Sequence, residues 1–262
     1  MADTIFNPSE LIFKKAVAVS LMDYVDGKIF ARANKLEEPS FTVTSETDEI
    51  TDAEGATIAS FEKNKKASMS ASNSLTNLDL YAAQMGTSKG VASTSKKKLV
   101  SIEKTYTVVS NKITLDHTPK GEVKYIYKVS SGNLSEVYEV TAGSSPTEKQ
   151  FTIATNTITL PADTTGTFLV SYDTEVDEAV YIQVESEKYP EICSARITAI
   201  FCDPCNQNIE YAGYIYAKKA KLDVSSVEMA WSRTGKHAFS LNFIKDYCEG
   251  NGLLFEFVVF KD

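Results

Sequence analysis

The segment Ala67-Ser68-Met69-Ser70-Ala71-Ser72 alternates small apolar side chains with polar hydroxyl side chains along its length. Successive side chains of an extended strand point to opposite faces, so one face here is apolar and the other is a row of hydroxyls. This pattern predicts a half-buried β-strand. Short runs rich in Tyr, Val, Ile, Thr and Phe recur between turn residues along the whole chain, and such runs favour strands. We therefore predict an all-β protein.

One short helix is predicted directly after this strand. Asn73 or Ser74 can cap its first turn, the apolar residues that follow fall near helical spacing, and Gly86 can end it. A helix of about three turns is not stable by itself in water. We therefore expect it to pack against another part of the protein.

Before this strand, an acidic stretch lies between two apolar runs. Phe41 and Val43 on one side and Ile58 and Phe61 on the other predict two strands, joined by a long loop with residues 52–55 at its tip. Eight carboxylates and no Lys or Arg lie between residues 37 and 62, whereas eight lysines and two carboxylates lie between residues 63 and 104. Blocks of opposite charge can join copies head to tail into rings or filaments. Two solvated loops would show the same pattern.

Composition excludes several classes of function. The net charge of −8 argues against a nucleic-acid reader, which binds by neutralising phosphates. Residues 1–10 lack the basic and apolar regions of a signal peptide, so we expect synthesis in a cytoplasm. No apolar run approaches the roughly 20 residues that span a bilayer, and no membrane partner is expected.

Residues 101–175 differ in character and contain a weak internal repeat. Asn111–Leu115 and Asn156–Leu160 match at four of five positions, and each is followed by a Pro, a Gly and an alternating strand. We predict two related β-hairpin units or one small inserted sheet. The predicted organisation is a β-sandwich in two parts, residues 1–100 and 176–262, with residues 101–175 as a β-rich insertion.

No catalytic constellation is visible. His117 and His237 lie in no motif with a nucleophile or a second metal ligand. Cys202 and Cys205 form a C-x-x-C pair, and with Cys193 and Cys248 they could hold a zinc ion or form disulfides. Plain thiols are the favoured interpretation, because a zinc site usually has two such pairs. We predict no enzyme, no cofactor and no metal.

Several segments together resemble the tail tube proteins of tailed bacteriophages. They are residues 55–61 after the acidic strand, the alternating strand, residues 73–78 and 82–86, and near the end a Tyr-rich strand at 211–216, a Lys-containing link at 218–221 and a Trp-containing strand at 229–231. The resemblance implies a tail-tube-type β-sandwich or barrel with one short α-helix. It also implies six-membered rings, stacked through a long loop or hairpin into a conduit for DNA ejection.

The resemblance further implies a location in the virion tail and contacts with tape measure, terminator and baseplate proteins. DNA would pass through the lumen without specific binding, since a carboxylate-rich wall repels phosphate. The candidate ring-stacking residues are Glu46, Asp48, Glu49, Asp52 and Glu54 with Lys63, Lys65, Lys66, Lys96, Lys97 and Lys98. The alternative is a β-sandwich adhesion or baseplate module, with residues 101–175 as an immunoglobulin-like recognition domain.

Overall fold

The computed structural model describes residues 8–143, 145–225, 227–228, 232–233, 235–247 and 252–261. Within these residues the protein is built from strands and one short helix, which confirms the predicted all-β class. In chain order the elements are β1 (Ile12–Asp23), β2 (Ile29–Ala33), β3 (Leu36–Thr51), β4 (Thr57–Asn73), α1 (Leu78–Gln84), β5 (Gly90–Val91), β6 (Lys98–Thr107), β7 (Lys112–Thr114), β8 (Tyr125–Ser130), β9 (Asn133–Val140), β10 (Gln150–Ala154), β11 (Thr157–Thr159), β12 (Thr167–Val176), β13 (Val180–Tyr181), β14 (Cys193–Cys202), β15 (Glu210–Leu222), β16 (His237–Phe243) and β17 (Glu256–Phe260).

The chain divides into two compact units. Unit 1 comprises the residues up to Lys89 and from Ile182 onward, and unit 2 comprises Gly90–Tyr181. Unit 2 therefore begins before residue 101 and ends after residue 175, and it includes the Lys96–Lys98 cluster. The predicted Trp-containing strand, residues 229–231, lies outside the described residues, as does Cys248.

Unit 1 contains one eight-stranded sheet with the order β2-β1-β14-β15-β16-β4-β3. The eighth strand, β17, pairs with Ala212–Tyr216 of β15, whereas β16 pairs with Ala220–Leu222 farther along the same strand. The buried core contains residues from all these strands except β3 and β17, together with Leu80 of the helix. Alternation explains this placement: Ala67, Met69 and Ala71 are buried, as the sequence predicts.

The predicted long acidic loop is wrong. Strands β3 and β4 continue as a paired ladder out to Thr51 and Thr57, and only a five-residue turn, residues 52–56, joins them. The turn is tight because the Asp52 carboxylate accepts hydrogen bonds from the backbone amides of Glu54 (2.9 Å) and Ala56 (2.8 Å). An aspartate that bonds to amides just after it is a common turn-forming arrangement.

The helix begins later than predicted. Its N-cap is Asn77, whose side chain accepts from the amide of Leu80, and not Asn73 or Ser74. Asn73 is instead the last residue of β4, and its side chain bonds to the backbone of Lys35 and Leu75. Gly86 follows the helix with a φ of +67°, as the predicted end requires. The helix has seven residues, and the described part of the chain holds none that could cross a membrane.

Unit 2 contains a seven-stranded sheet with the order β6-β12-β8-β9-β10-β11-β7 around its own core. Neither half of the internal repeat pairs with the alternating strand that follows it; β7 and β11 pair with each other, and β11 also forms a hairpin with β10. Ile113 lies opposite Ile158, and both are buried. Leu115 donates its amide hydrogen to the carbonyl of Asn156, and Leu160 donates symmetrically to the carbonyl of Asn111. Strands β5 and β13 pair at the two ends of the unit.

Candidate assembly interface

The outer part of the β3–β4 hairpin is exposed on both faces. Strand β16 pairs with β4 only from Ala67 to Asn73, so residues 57–66 pair with β3 alone among the described strands. All side chains of residues 43–51 are exposed, as are those of 57–66 apart from the partly buried Ala59. Eight residues of strand extend roughly 25 Å. We call residues 44–66 the projecting hairpin.

A β-bulge lies at the base of the projecting hairpin. Between the pairs Thr44–Lys66 and Glu46–Lys63, strand β4 contains one more residue than β3. Asn64 occupies the bulge with a φ of +52°, a conformation that Asn tolerates better than most residues. Its side-chain amide donates to the carboxylate of Glu46 at 2.8 Å.

The two predicted charge blocks meet within this hairpin. Lys63 lies 2.6 Å from the carboxylate of Asp48, and Lys66 lies 3.4 Å from that of Glu46. Hydrogen bonds from Asn64 and Lys66 lower the pKa of Glu46 below its usual value. The antiparallel register brings these residues together, so two of the candidate stacking lysines, Lys63 and Lys66, have carboxylate partners in their own chain. Lys65 lies beside the bulge, exposed.

The tip of the projecting hairpin is both acidic and apolar. From Glu49 to Glu62 there are four carboxylates and no Lys or Arg. Within the hairpin, Glu49 accepts a hydrogen bond from the hydroxyl of Thr57 at 3.2 Å, and Glu62 accepts one from Ser45. The apolar residues of this tip are Ile50, Ile58 and Phe61, with 53%, 68% and 58% of their surfaces exposed.

The remaining predicted lysines belong to unit 2. Lys96 closes a turn with Ser93, with which it exchanges backbone hydrogen bonds of 3.0 Å in both directions. The ammonium group of Lys98 lies 4.2 Å from the centre of the Tyr181 ring, a cation–π contact. Lys97 is exposed between them.

Comparison with known families identifies the chain. The profile of the YomU/Tube protein family matches residues 12–251, which cover nearly the whole fold, including all of unit 2. The protein belongs to the YomU/Tube family. No curated protein matches the chain.

Three of the four cysteines of this YomU/Tube protein lie in the described part of the chain. Cys193 and Cys202 are buried, Cys205 is exposed, and all three are free thiols. Burial raises the pKa of the Cys193 thiol to about 11. No group of three potential metal ligands occurs among the described residues. These three cysteines therefore form no disulfide with one another. Cys248 lies outside the described residues.

An apolar cavity of about 400 Å³ lies within unit 1. Its lining contains mostly apolar side chains from six strands, and Tyr214 is the one titratable residue among the described residues that line it. Such a lining offers no acid–base pair for catalysis. The two histidines lie in different environments. His237 is buried in unit 1, whereas His117 is exposed in unit 2.

The sequence analysis missed Arg32 and Arg196, which are far apart in the chain but lie on neighbouring parts of one sheet face. Ser20 of β1 lies opposite Arg32 of β2 on one side and opposite Arg196 of β14 on the other. No local pattern signals this arrangement, since it depends on the pairing of three strands. The apolar hairpin residues Ile58 and Phe61 did appear in the sequence pattern, but as parts of strands and not as an exposed surface, and Ile50 fell in the segment predicted as a loop.

Proposed function

We propose that this YomU/Tube protein is the subunit of a phage tail tube. Six copies form a ring, and stacked rings form the conduit for DNA ejection. Membership of a tube family supports the coarse assignment. The observation that supports a role in stacking is that the projecting hairpin is exposed on both faces. A two-stranded ribbon without further cover is at best marginally stable in water, and contact with another copy would cover it.

The protein would be synthesised in the host cytoplasm and reside in the virion tail. Tape measure, terminator and baseplate proteins would contact the ends of the assembled tube. We infer a purely structural role, without catalysis, cofactor or metal, in a conduit that DNA crosses without specific binding. The net charge of −8 supports this last point, since a negative wall repels phosphate.

Negative-stain electron microscopy of the purified protein over a concentration series tests the proposal. Rings with a central pore, or tubes made of such rings, are the expected result. Isolated particles of monomer size at every concentration would overturn the tube assignment.

Charge reversal at the hairpin tip tests the stacking role. We expect Glu49→Lys combined with Asp52→Lys to shorten or abolish tubes while rings still form. Because Asp52 also holds the turn, Glu49→Lys with Glu54→Lys is a second variant that keeps the turn bonds. Glu139→Lys with Glu148→Lys, both exposed in unit 2, makes the same change in net charge and is the matched control. Normal tube yield and length in both hairpin variants would rule out a stacking role for the tip.

A second candidate, a binding or baseplate module, is favoured by one surface of unit 2. Tyr127 lies opposite Val137 on one neighbouring strand and opposite Leu169 on the other. Tyr125 and Leu134, 48% and 58% exposed, extend this apolar patch. Patches of this kind often mark interaction sites. A monomer with a ligand for this patch would favour the module over the tube subunit.

A further inference from the structure

The outer face of the unit 1 sheet carries a row of five residues across five strands, among them two arginines and a tyrosine. The register places Arg32, Ser20, Arg196, Tyr216 and Glu256 opposite one another in turn. Both arginines are exposed, and neither forms an ion pair with a carboxylate of the described residues. With Tyr214 they form what we call the Arg–Tyr face.

The guanidinium group of Arg196 is held in place by two rings. Its central carbon lies 5.1 Å from the centre of the Tyr214 ring and 5.7 Å from that of Tyr216. Tyr214 in turn packs edge-on against Phe260, with 6.3 Å between ring centres. A guanidinium group that is already positioned loses less entropy when it binds a carboxylate. The Arg–Tyr face is therefore basic, partly apolar and preorganised.

The projecting hairpin has the complementary character. Its tip carries Glu49, Asp52 and Glu54 beside the exposed side chains of Ile50 and Ile58. Lys63 and Lys66, near the base of the hairpin, form ion pairs with Asp48 and Glu46. They therefore do not neutralise the carboxylates of the tip, which keeps its negative charge. Acidic and apolar groups on one surface thus match basic and aromatic groups on another surface of the same chain.

We propose that the Arg–Tyr face is the receptor for the hairpin tip of a second copy of this chain. This inference rests on the proposed function and names the residues at the contact. Arg32 and Arg196 bind tip carboxylates, and Tyr214 and Tyr216 pack against the apolar tip residues. The contact is heterologous, because each copy contributes a different surface, and it can therefore repeat from copy to copy.

A second copy fits this face better than nucleic acid does. Glu256 is the last residue of the row at one edge, and Lys14 of β1 forms an ion pair with Glu210 of β15 across the intervening strand β14. A phosphate backbone running along this face would meet these carboxylates and be repelled by them. A hairpin tip is only about two strands wide, so it can contact the arginines without meeting the carboxylates. Bidentate pairing with carboxylates is also a preferred arrangement for arginine.

The test combines charge reversals on the two surfaces. We expect Arg32→Glu with Arg196→Glu to raise the protein concentration needed for stacked assemblies at least about tenfold, as does Glu49→Lys with Glu54→Lys. All four changes in one chain restore assembly. Lys112→Glu with Lys124→Glu, exposed in unit 2, changes the net charge equally and should assemble normally. Assembly is measured by sedimentation and electron microscopy, with circular dichroism to check folding.

Mixing the two defective double variants gives a second readout. In the mixture the intact hairpin of one variant meets the intact Arg–Tyr face of the other, and the reversed hairpin meets the reversed face. Mixed assemblies are therefore expected, although neither variant assembles alone at that concentration. Normal stacking of Arg32→Glu with Arg196→Glu, while the hairpin variant is defective, would overturn the receptor and leave the tube subunit standing. Normal stacking with loss of DNA binding would assign the face to nucleic acid and also overturn it. A wild-type protein that never assembles would refute the tube function itself.

Discussion

The imidazole ring of His237 lies parallel to the phenol ring of Tyr81, with 3.5 Å between ring centres and 7° between planes. His237 belongs to β16 and Tyr81 to α1, so this stack joins the helix to the sheet. The Nε2 atom of His237 lies 2.5 Å from the Oε1 atom of Gln84, also on the helix, and donates a hydrogen bond to it. The Nδ1 atom has no partner among the described residues. The ring is therefore held in its neutral form.

We predict that acidification weakens the docking of this helix. Burial lowers the pKa of His237 from its usual 6.5 to about 4. Between these values the unfolded chain binds a proton that the folded protein does not, so stability is present above pH 6.5 and is lost as the pH falls toward 4. The difference between the two pKa values corresponds to a loss of about 3 kcal/mol in the free energy of unfolding as the pH falls from 6.5 to 4.

Urea unfolding at pH 7 and pH 5, followed for unit 1, measures this effect. His237→Phe keeps an aromatic ring on Tyr81 but cannot titrate, so its stability should change less between the two pH values. His117→Gln removes the exposed histidine of unit 2 and is the matched control. An unchanged pH dependence in His237→Phe would contradict the prediction.

Replacement of Gly86 by Ala should destabilise unit 1 strongly. The residue has a φ of +67°, and an added Cβ would lie 2.4 Å from the backbone of Tyr189. Strain and overpacking together predict a loss of about 2–4 kcal/mol. Gly55→Ala is the control, because Gly55 also has positive φ but a Cβ added there would meet nothing within 4 Å. Thermal unfolding of both variants gives the comparison, and equal losses would argue against the close contact.

The local part of the fold is predictable from the sequence, because alternation and turn residues act over a few neighbours. The strand at Ala67–Ser72 and the hairpin strands at Val43 and Ile58 follow from such patterns. The N-cap does not, since Asn73, Ser74 and Asn77 are all good caps. The choice depends on Asn73 remaining in β4, where its side chain bonds to the backbone of Lys35.

The candidate contacts depend on pairing between distant residues, and the sequence alone cannot supply them. The opposite charges of Asp48 and Lys63 are visible in the sequence, but the register of the hairpin makes them partners of each other. Arg32 and Arg196 become neighbours only through β1. Period-two alternation fixes which side chains share a face within a strand, and it carries no information about which strand lies beside it.

Cys205 should react with thiol reagents faster than the buried cysteines do. Cys205 is exposed, whereas the Cys193 thiol is buried with its pKa raised to about 11, and the thiolate is the reactive form. We expect Cys205→Ser to remove one equivalent of rapid labelling by a thiol reagent at mildly alkaline pH. Cys193→Ser should leave the rapid phase unchanged. If Cys205→Ser labels as fast as the wild type, Cys205 is not an accessible free thiol.

Exchanging the charges of Asp48 and Lys63 should leave assembly intact. The two groups lie 2.6 Å apart within one hairpin, and both are largely exposed. An exposed pair contributes little to stability, so the double change Asp48→Lys with Lys63→Glu keeps the pair and should not alter folding. If the pair acts inside the hairpin, the exchanged protein forms tubes as the wild type does, and each single change does more harm than the exchange.

A different result is expected if Lys63 binds a carboxylate of a neighbouring copy. The exchange would then place like charges at that contact, and tube length would fall as much as in Lys63→Glu alone. Electron microscopy of the two single variants and the exchanged protein decides between the two arrangements. Lys65→Glu is the matched single change, because Lys65 lies in the same hairpin beside the bulge. Equal damage from the exchange and from Lys63→Glu would show that the contact is between copies.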